Sequence, residues 1–511
     1  MAQQHNQQQM EKLIQAYGYL RNNYVDDVDM EPLVEAAIDA SLKELDPHSS
    51  YIPRREMLQM MNSMDGEFTG IGINFTINQD TIIVNRTVKG APAERAEIKK
   101  NDRIIAVNGT TLVGVEQTKA MEMLRGRKGS IASLDIMRGG TPITIEVKRG
   151  DIPTNAVSMA FMLNDSTAYV RVDSFLSKNT TDDFTKAIKE LKDTQAIIID
   201  LRGNFGGLLT SAIHFSELFL KRGDIIVSTE GRKNNVTYQA SKSGPYSDMP
   251  IVVLIDEQTA SASEIVAGAL QDHDRAVIVG RRSYGKGLVQ KVVKFKDESG
   301  MRLTIARYKT PSGRLIQRPY RIGERDEYIS DRERYTPLNT AAIPDSLTHT
   351  TLKAHRTVYG GGGISPDIYI AAESSSERQF TRTVVDNNIV QRVIIELFDR
   401  ITADEFMTLY PTLETYNEQF TLDNESIDYM ITLVEEISPM VLNDGEGMNE
   451  SIAMIEAQIA DDIYRNGAYY QTFGRAHDKT LDRAIDIIST QAEMDAILQG
   501  HSVPSTDATM Q

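Results

Sequence analysis

Apolar positions recur at helical spacing over residues 10–46, through Leu13, Tyr17 and Leu20 and then Leu33, Ala36, Ala37 and Leu42. That spacing predicts helices, and Asp46-Pro47-His48 stops them. The pattern changes near residue 66. Gly66, Gly70 and Gly72 punctuate apolar runs at 71–75 and 81–84 that read as strands. A short helix is expected at Ala91-Pro92-Ala93, a strand over 102–109 closed by Asn108-Gly109, a helix over 117–124, and a hairpin from 134–137 and 143–147.

Residues 150–320 alternate the two periods, with strands expected at 168–172, 196–200, 251–255 and 276–280 and helices at 180–191, 208–220 and 261–271. The run Ala196-Ile197-Ile198-Ile199-Asp200 is apolar at successive positions, which suits a strand covered on both faces. This order predicts βα units around a sheet with a covered interior. Residues 321–345 lack periodicity and read as a surface insertion, and 360–367 read as a turn leading back to a strand. Helical spacing returns at 384–398, 427–437, 452–464 and 481–498, before a polar end. The expected fold class is α/β and multi-domain. It divides into an N-terminal helical region (1–65), a mainly β domain (66–149), an α/β core (150–372), a helical region (373–499) and a disordered tail (500–511).

Composition narrows the function more than the fold. The chain has 511 residues, 41% apolar and 25% charged, as an ordinary globular protein does. It has no run of about 18 apolar residues that would span a membrane. The start, Met1-Ala2-Gln3-Gln4-His5, has neither a basic nor an apolar stretch, so no secretory signal is visible. The net charge of −17 argues against nucleic acid as a partner and favours solubility. With no cysteine, disulfides, thiolate metal sites and cysteine nucleophiles are excluded.

Candidate chemistry centres on Ser261 and Lys286. Ser261 lies in Thr259-Ala260-Ser261-Ala262-Ser263-Glu264, after the apolar run 251–255, where a strand should turn into a helix. A serine at that turn places its hydroxyl beside free helix N–H groups, and the Ala262 amide is the natural donor to a developing oxyanion. The same six residues also fit a plain N-cap with a Glu264 capping box. A serine needs a base to take its proton. Among the eight histidines (5, 48, 214, 273, 349, 355, 477 and 501), His214 and His273 are nearest in sequence, and neither has a strand-end or Gly-rich context. Lys286, in Gly285-Lys286-Gly287, serves as base if burial keeps its amine neutral; its spacing alone equally fits a surface lysine. Gln290 falls on the same side as Lys286 if 286–290 is extended. The loop Asp200-Leu201-Arg202-Gly203-Asn204-Phe205-Gly206-Gly207 offers further N–H groups. In 66–149, a Gly-Ile-Gly-Ile turn feeding a strand suits capture of a peptide carboxylate.

Over residues 10–372 the chain resembles the carboxyl-terminal processing (tail-specific) serine proteases. The resemblance rests on Leu45-Asp46-Pro47-His48-Ser49, Gly66-Glu67-Phe68-Thr69-Gly70-Ile71-Gly72, Asp200–Asn204 with Gly206-Gly207, Thr259–Glu264, Gly285-Lys286-Gly287 with Gln290, and Gly360–Asp367. It implies Ser261 as nucleophile, Lys286 as general base, Gln290 as its assistant, and Ala262 and Gly207 as oxyanion donors. It also implies a PDZ domain at 66–149, with Phe68, Gly70, Ile71, Gly72 and Ile73 binding a peptide carboxylate. Phe205 departs from the family's usual proline, which bears on loop stiffness and removes no catalytic group. No cofactor or metal is implied. The implied partners are proteins or peptides with accessible C-termini and an activating peptide or adaptor at the PDZ domain, in a homo-oligomer, expected to be a dimer. An exported, periplasmic setting is implied as well. A catalytically silent PDZ scaffold and an assembly protein organised by the helical ends are the alternatives.

Overall fold

The computed structural model describes residues 2–57, 60, 67–78, 81–153, 155–233, 235–330, 343–371, 378–465, 467–474 and 478–501. Residues 331–342 of the expected insertion, Gly66 and most of the expected tail (502–511) lie outside the described residues. The chain forms two compact units.

The first unit comprises Met1–Gln59, Leu288–Ala306 and Pro319–Arg332. Among the described residues its helices are Ala2–Asn23, Met30–Lys43 and the short Arg325–Ser330, and the second is capped by the Asp29 carboxylate on the Glu31 amide. The strand Ser50–Ile52 pairs antiparallel with residues 300–302 of the strand Gly300–Lys309. Here the Asp-Pro-His-Ser motif acts as a turn: Asp46 accepts from the His48 and Ser49 amides and from the Ser49 hydroxyl.

The second unit holds everything else, Met60–Gly287, Arg307–Arg318 and Glu333–Gln511. Its centre is a six-stranded sheet in the order Val157–Met162, Thr167–Val172, Ala196–Asp200, Ile251–Ile255, Val277–Gly280 and Ile368–Tyr369. The first pair is antiparallel and the rest parallel. Strands buried on both faces explain the unbroken apolar runs at 196–200 and 251–255. One face, with Tyr169, Ile198, Val252, Leu254, Val277 and Val279, packs against Leu481, Ala484, Ile487, Met494 and Ile497. Those residues sit on the helices Lys479–Ser489 and Gln491–Leu498. Alternation sends Ile197, Ile199 and Val253 to the opposite face. The helices Thr180–Glu190 and Leu209–Glu217 belong to an edge-to-face aromatic cluster of Phe175, Phe184, Phe215 and Phe219.

Residues 73–148 form a second sheet, mainly antiparallel, with Ile73–Asn78 at its edge and the helix Gln117–Leu124 over a core of Ile71, Val84, Ile104, Leu124 and Leu134. The stretch Glu67–Gly70 pairs instead with Gly150–Pro153. The helices between Gln379 and Tyr464 enclose their own apolar core around Phe398, Phe406, Tyr416 and Ile455. The C-terminal helical residues thus divide: 379–464 pack on themselves, and 479–498 complete the core on one face of the six-stranded sheet.

Candidate active site

The strand Ile251–Ile255 ends at Asp256, whose carboxylate accepts the amides of Gln258 and Thr259 and makes a tight turn. The chain reaches Ser261 and enters the helix Ala262–Asp272. At Ser261 the backbone takes φ 56° and ψ −114°. A positive φ at a serine is strained, by about 1–3 kcal/mol, and such strain concentrates where a side chain must be presented from a sharp turn. The strand–turn–helix arrangement with a strained serine is the geometry of a nucleophile elbow.

Glu264, one turn into the helix, is fully buried. Its Oε2 accepts the Ser261 amide at 2.8 Å and the Lys286 amide at 2.9 Å. Both nitrogens bond one oxygen, so they lie at most about 6 Å apart. Its Oε1 accepts the Gly285 amide at 2.7 Å and the Ser283 hydroxyl at 2.5 Å. Burial pushes this carboxyl above its ordinary range, against the pull of the Ser283 hydroxyl and the three amides. Tyr308 clamps the same two residues from their carbonyl side, donating to Ser261 O at 3.0 Å and Lys286 O at 2.7 Å. The capping-box pattern in the sequence is therefore half a local cap: the Glu264 carboxylate also reaches residues 19 to 22 positions away.

Lys286 is part-buried, in a loop fixed at both neighbouring glycines. Arg318 N donates to Gly285 O at 2.9 Å, and Gly287 N donates to Gln317 Oε1 at 2.8 Å. A side chain at Gly285 (φ 85°) would meet the Arg318 side chain at 2.5 Å, which explains the glycine. The 360–367 motif packs under this loop: Ser283 N donates to Ile364 O and Ile364 N to Ser283 Oγ.

The 200–207 loop lies against the Ser261 turn. Asn204 is buried; its carbonyl accepts the Ala260 amide at 3.0 Å and the Ser263 hydroxyl at 3.1 Å. At Gly206 (φ 91°) a Cβ would fall 2.5 Å from Ala260 O and 2.7 Å from Ala262 N. Gly207 bridges to Phe175, where a Cβ would overlap backbone at 2.1 Å. Among the described residues, the Gly207 and Ala262 amides donate to no protein acceptor. Phe205 is 69% exposed.

Gln290 belongs to the first unit, in the strand Leu288–Lys294, where its Nε2 donates to His48 O at 2.8 Å. Neither nearby histidine serves Ser261. His273 caps the C-terminal end of the helix that Ser261 begins, about 18 Å away at about 1.5 Å per residue, with Nε2 bonded to Ile225 O. His214 is exposed on the helix Leu209–Glu217. Among the described residues no group of His, Cys, Asp or Glu side chains suits a metal ion.

In the mainly β domain, Gly72 takes φ 81°, and a Cβ there would meet Ala91 Cβ at 2.3 Å. Val88 N donates to Gly72 O and Ala93 N to Ile71 O, fixing the turn before Ile73. Among the described residues, Ile73–Asn78 pairs on one side only, with Thr81–Thr87. Phe68 and Gly70 lie on the separate ladder to Gly150–Pro153. Glu264 as a bridge and Tyr308 as a clamp were not foreseen; their partners lie too far along the chain for a local pattern to reveal them.

Three family models match the chain: Peptidase family S41 over residues 166–323, the PDZ domain over 59–137, and the Activating protease CtpB N-terminal domain over 1–55. The carboxy-terminal processing protease CtpB of Bacillus subtilis is 36% identical over 316 residues, covering 60% of this chain and 66% of its own length. A carboxy-terminal-processing protease of Bartonella bacilliformis is 38% identical, covering 62% of this chain and 74% of its own length. CtpA of Bacillus subtilis is 33% identical, with 71% and 75% covered.

Proposed function

Because the chain belongs to the carboxy-terminal processing serine proteases of family S41 and carries a PDZ domain, we propose that it cleaves proteins near their C-termini through Ser261 and Lys286. The observation that carries this reading is the buried Glu264 carboxylate, which bonds the Ser261 and Lys286 amides through one oxygen. In the reaction, neutral Lys286 takes the Ser261 proton as Oγ attacks the scissile carbonyl. The amides of Ala262 and Gly207 hold the tetrahedral oxyanion. Lys286 passes its proton to the leaving amine, and water then releases the acyl group from Ser261. Gln290 assists Lys286 in this scheme. No step calls for a cofactor.

The PDZ domain receives a C-terminal carboxylate at Phe68, Gly70, Ile71, Gly72 and Ile73, and the chain end adds a strand beside Ile73–Asn78. The free edge of that strand supports this reading. The domain delivers substrate tails and gates the site when an activating peptide binds. The chain works as a dimer in an exported, periplasmic setting. Among the described residues no helix is long and apolar enough to cross a membrane.

The test is mass spectrometry of the products from a protein substrate with an accessible C-terminus, with and without an added C-terminal peptide. Wild type yields fragments trimmed from the C-terminal side, faster with peptide, whereas Ser261→Ala and Lys286→Ala, both folded, yield none. Cleavage by folded Lys286→Ala at the wild-type rate would remove the lysine as base.

A further inference from the structure

The loop that carries Gly206 and Gly207 is anchored from outside the protease module. Arg202 sits at its start, 16% exposed. The guanidinium bonds the fully buried Asp200, through Nε at 3.0 Å to both oxygens and through Nη2 at 2.6 Å. Its remaining donors go to the C-terminal segment: Nη1 to Asp478 Oδ1 at 2.9 Å, and Nη2 to Tyr470 Oη at 2.9 Å and Asp478 Oδ2 at 2.7 Å. Tyr470 Oη also bonds Asp478, and the Tyr470 ring stacks on Tyr169 at 5.2 Å and 18°. Tyr169 in turn donates to Asp200 Oδ2 at 2.7 Å. Arg171 completes the surround, with Nη1 3.9 Å from Asp200 and Nη2 donating to Arg202 O at 3.3 Å. Asp478 and Tyr470 lie well beyond residue 323, where the Peptidase family S41 match ends.

We propose that Asp478 and Tyr470 are positioning residues of the oxyanion loop, acting through Arg202. The physical case is electrostatic and geometric. Asp200 alone cannot satisfy the five donors of a guanidinium, and a part-buried arginine left half-bonded would turn toward solvent and pull the loop start with it. Burial pushes Asp200 upward, but Arg202 outweighs it and holds the carboxyl below its ordinary range, so the cluster is ionic at neutral pH. Just beyond Arg202 in the same loop, Gly206 packs within van der Waals reach of the Ser261 turn. A misplacement of about 1 Å there is worth on the order of 100-fold in rate.

This inference rests on the serine protease reading, and the experiment separates the two. Asp478 also caps its own helix, accepting the Leu481 amide at 2.9 Å. Asparagine caps equally well, so Asp478→Asn keeps the cap through its single oxygen while removing the charge and turning Oδ2, the acceptor for Arg202 Nη2 and the Tyr470 hydroxyl, into an amide donor. Full-length wild type, Asp478→Asn, Tyr470→Phe and Ser261→Ala are compared by steady-state peptide cleavage and thermal unfolding. The expected result is a fall in kcat of about tenfold or more for Asp478→Asn and a smaller fall for Tyr470→Phe, with KM within about twofold and the melting temperature nearly unchanged. Should Asp478→Asn be poorly soluble, Tyr470→Phe, which keeps the ring stack, decides alone. A lowered melting temperature with unchanged kcat would show a purely structural contact and overturn the proposal. Cleavage surviving in Ser261→Ala would overturn the protease reading, and this proposal with it.

Discussion

Ser261 spends conformational energy to hold its position. Its φ of 56° and ψ of −114° mirror the extended region that L-residues favour, so glycine occupies this point without penalty. Ser261→Gly should therefore unfold at higher temperature than Ser261→Ala, by about 1 kcal/mol in stability, with both inactive. Equal melting temperatures would mean that the turn is relaxed. The strain is held in place by Glu264 and Tyr308, which bond both sides of the Ser261 and Lys286 backbones. The sequence made Ser261 and Lys286 legible as candidates because each sits in a small-residue context. It did not reveal the bonds that unite them, because Glu264 reaches 22 residues and Tyr308 47 residues away.

At the scale of elements, legibility followed burial. The helix Gln117–Leu124 and the strands Ala196–Asp200 and Ile251–Ile255 appear where their patterns put them. The strands Ile225–Glu230, Val236–Gln239 and Leu288–Lys294 were not foreseen; they mix exposed polar and apolar positions and so carry no clean period of two. The expected helix at 481–498 is two helices broken at Thr490, and the pattern gave no sign of what they cover. They cover the protease sheet. Ile487 is fully buried there, so Ile487→Ala should destabilise the protein by about 2–5 kcal/mol, read as a lower urea midpoint. Truncation after residue 465 should expose Ile198, Val252 and Leu254 and yield insoluble protein. A soluble, active truncated enzyme would show that these helices are accessory.

At the scale of the whole molecule, the C-terminal segment packs on the central sheet of the second unit and bonds Arg202 through Asp478 and Tyr470. Lys100 of the PDZ domain lies 3.4 Å from Asp462 and 4.3 Å above the Phe398 ring, so the domain is seated on the helical core. The first unit offers a different surface. Met10, Leu13, Ile14 and Leu20 are exposed along the helix Ala2–Asn23, and Leu33 and Val34 are exposed on the next helix. An apolar stripe of this length favours a second copy of the chain as its cover. Sedimentation velocity should show a dimer for the full chain and a monomer once residues 1–60 are removed. A monomeric full chain at micromolar concentration would contradict the dimer. The assignment of Ser261 as nucleophile is tested most directly by treating the full-length protein with a fluorophosphonate and mapping the adduct by mass spectrometry. The prediction is one adduct per chain, on Ser261, lost in Lys286→Ala and accompanied by loss of cleavage. Unmodified Ser261 in a protein that still cleaves substrate would contradict it.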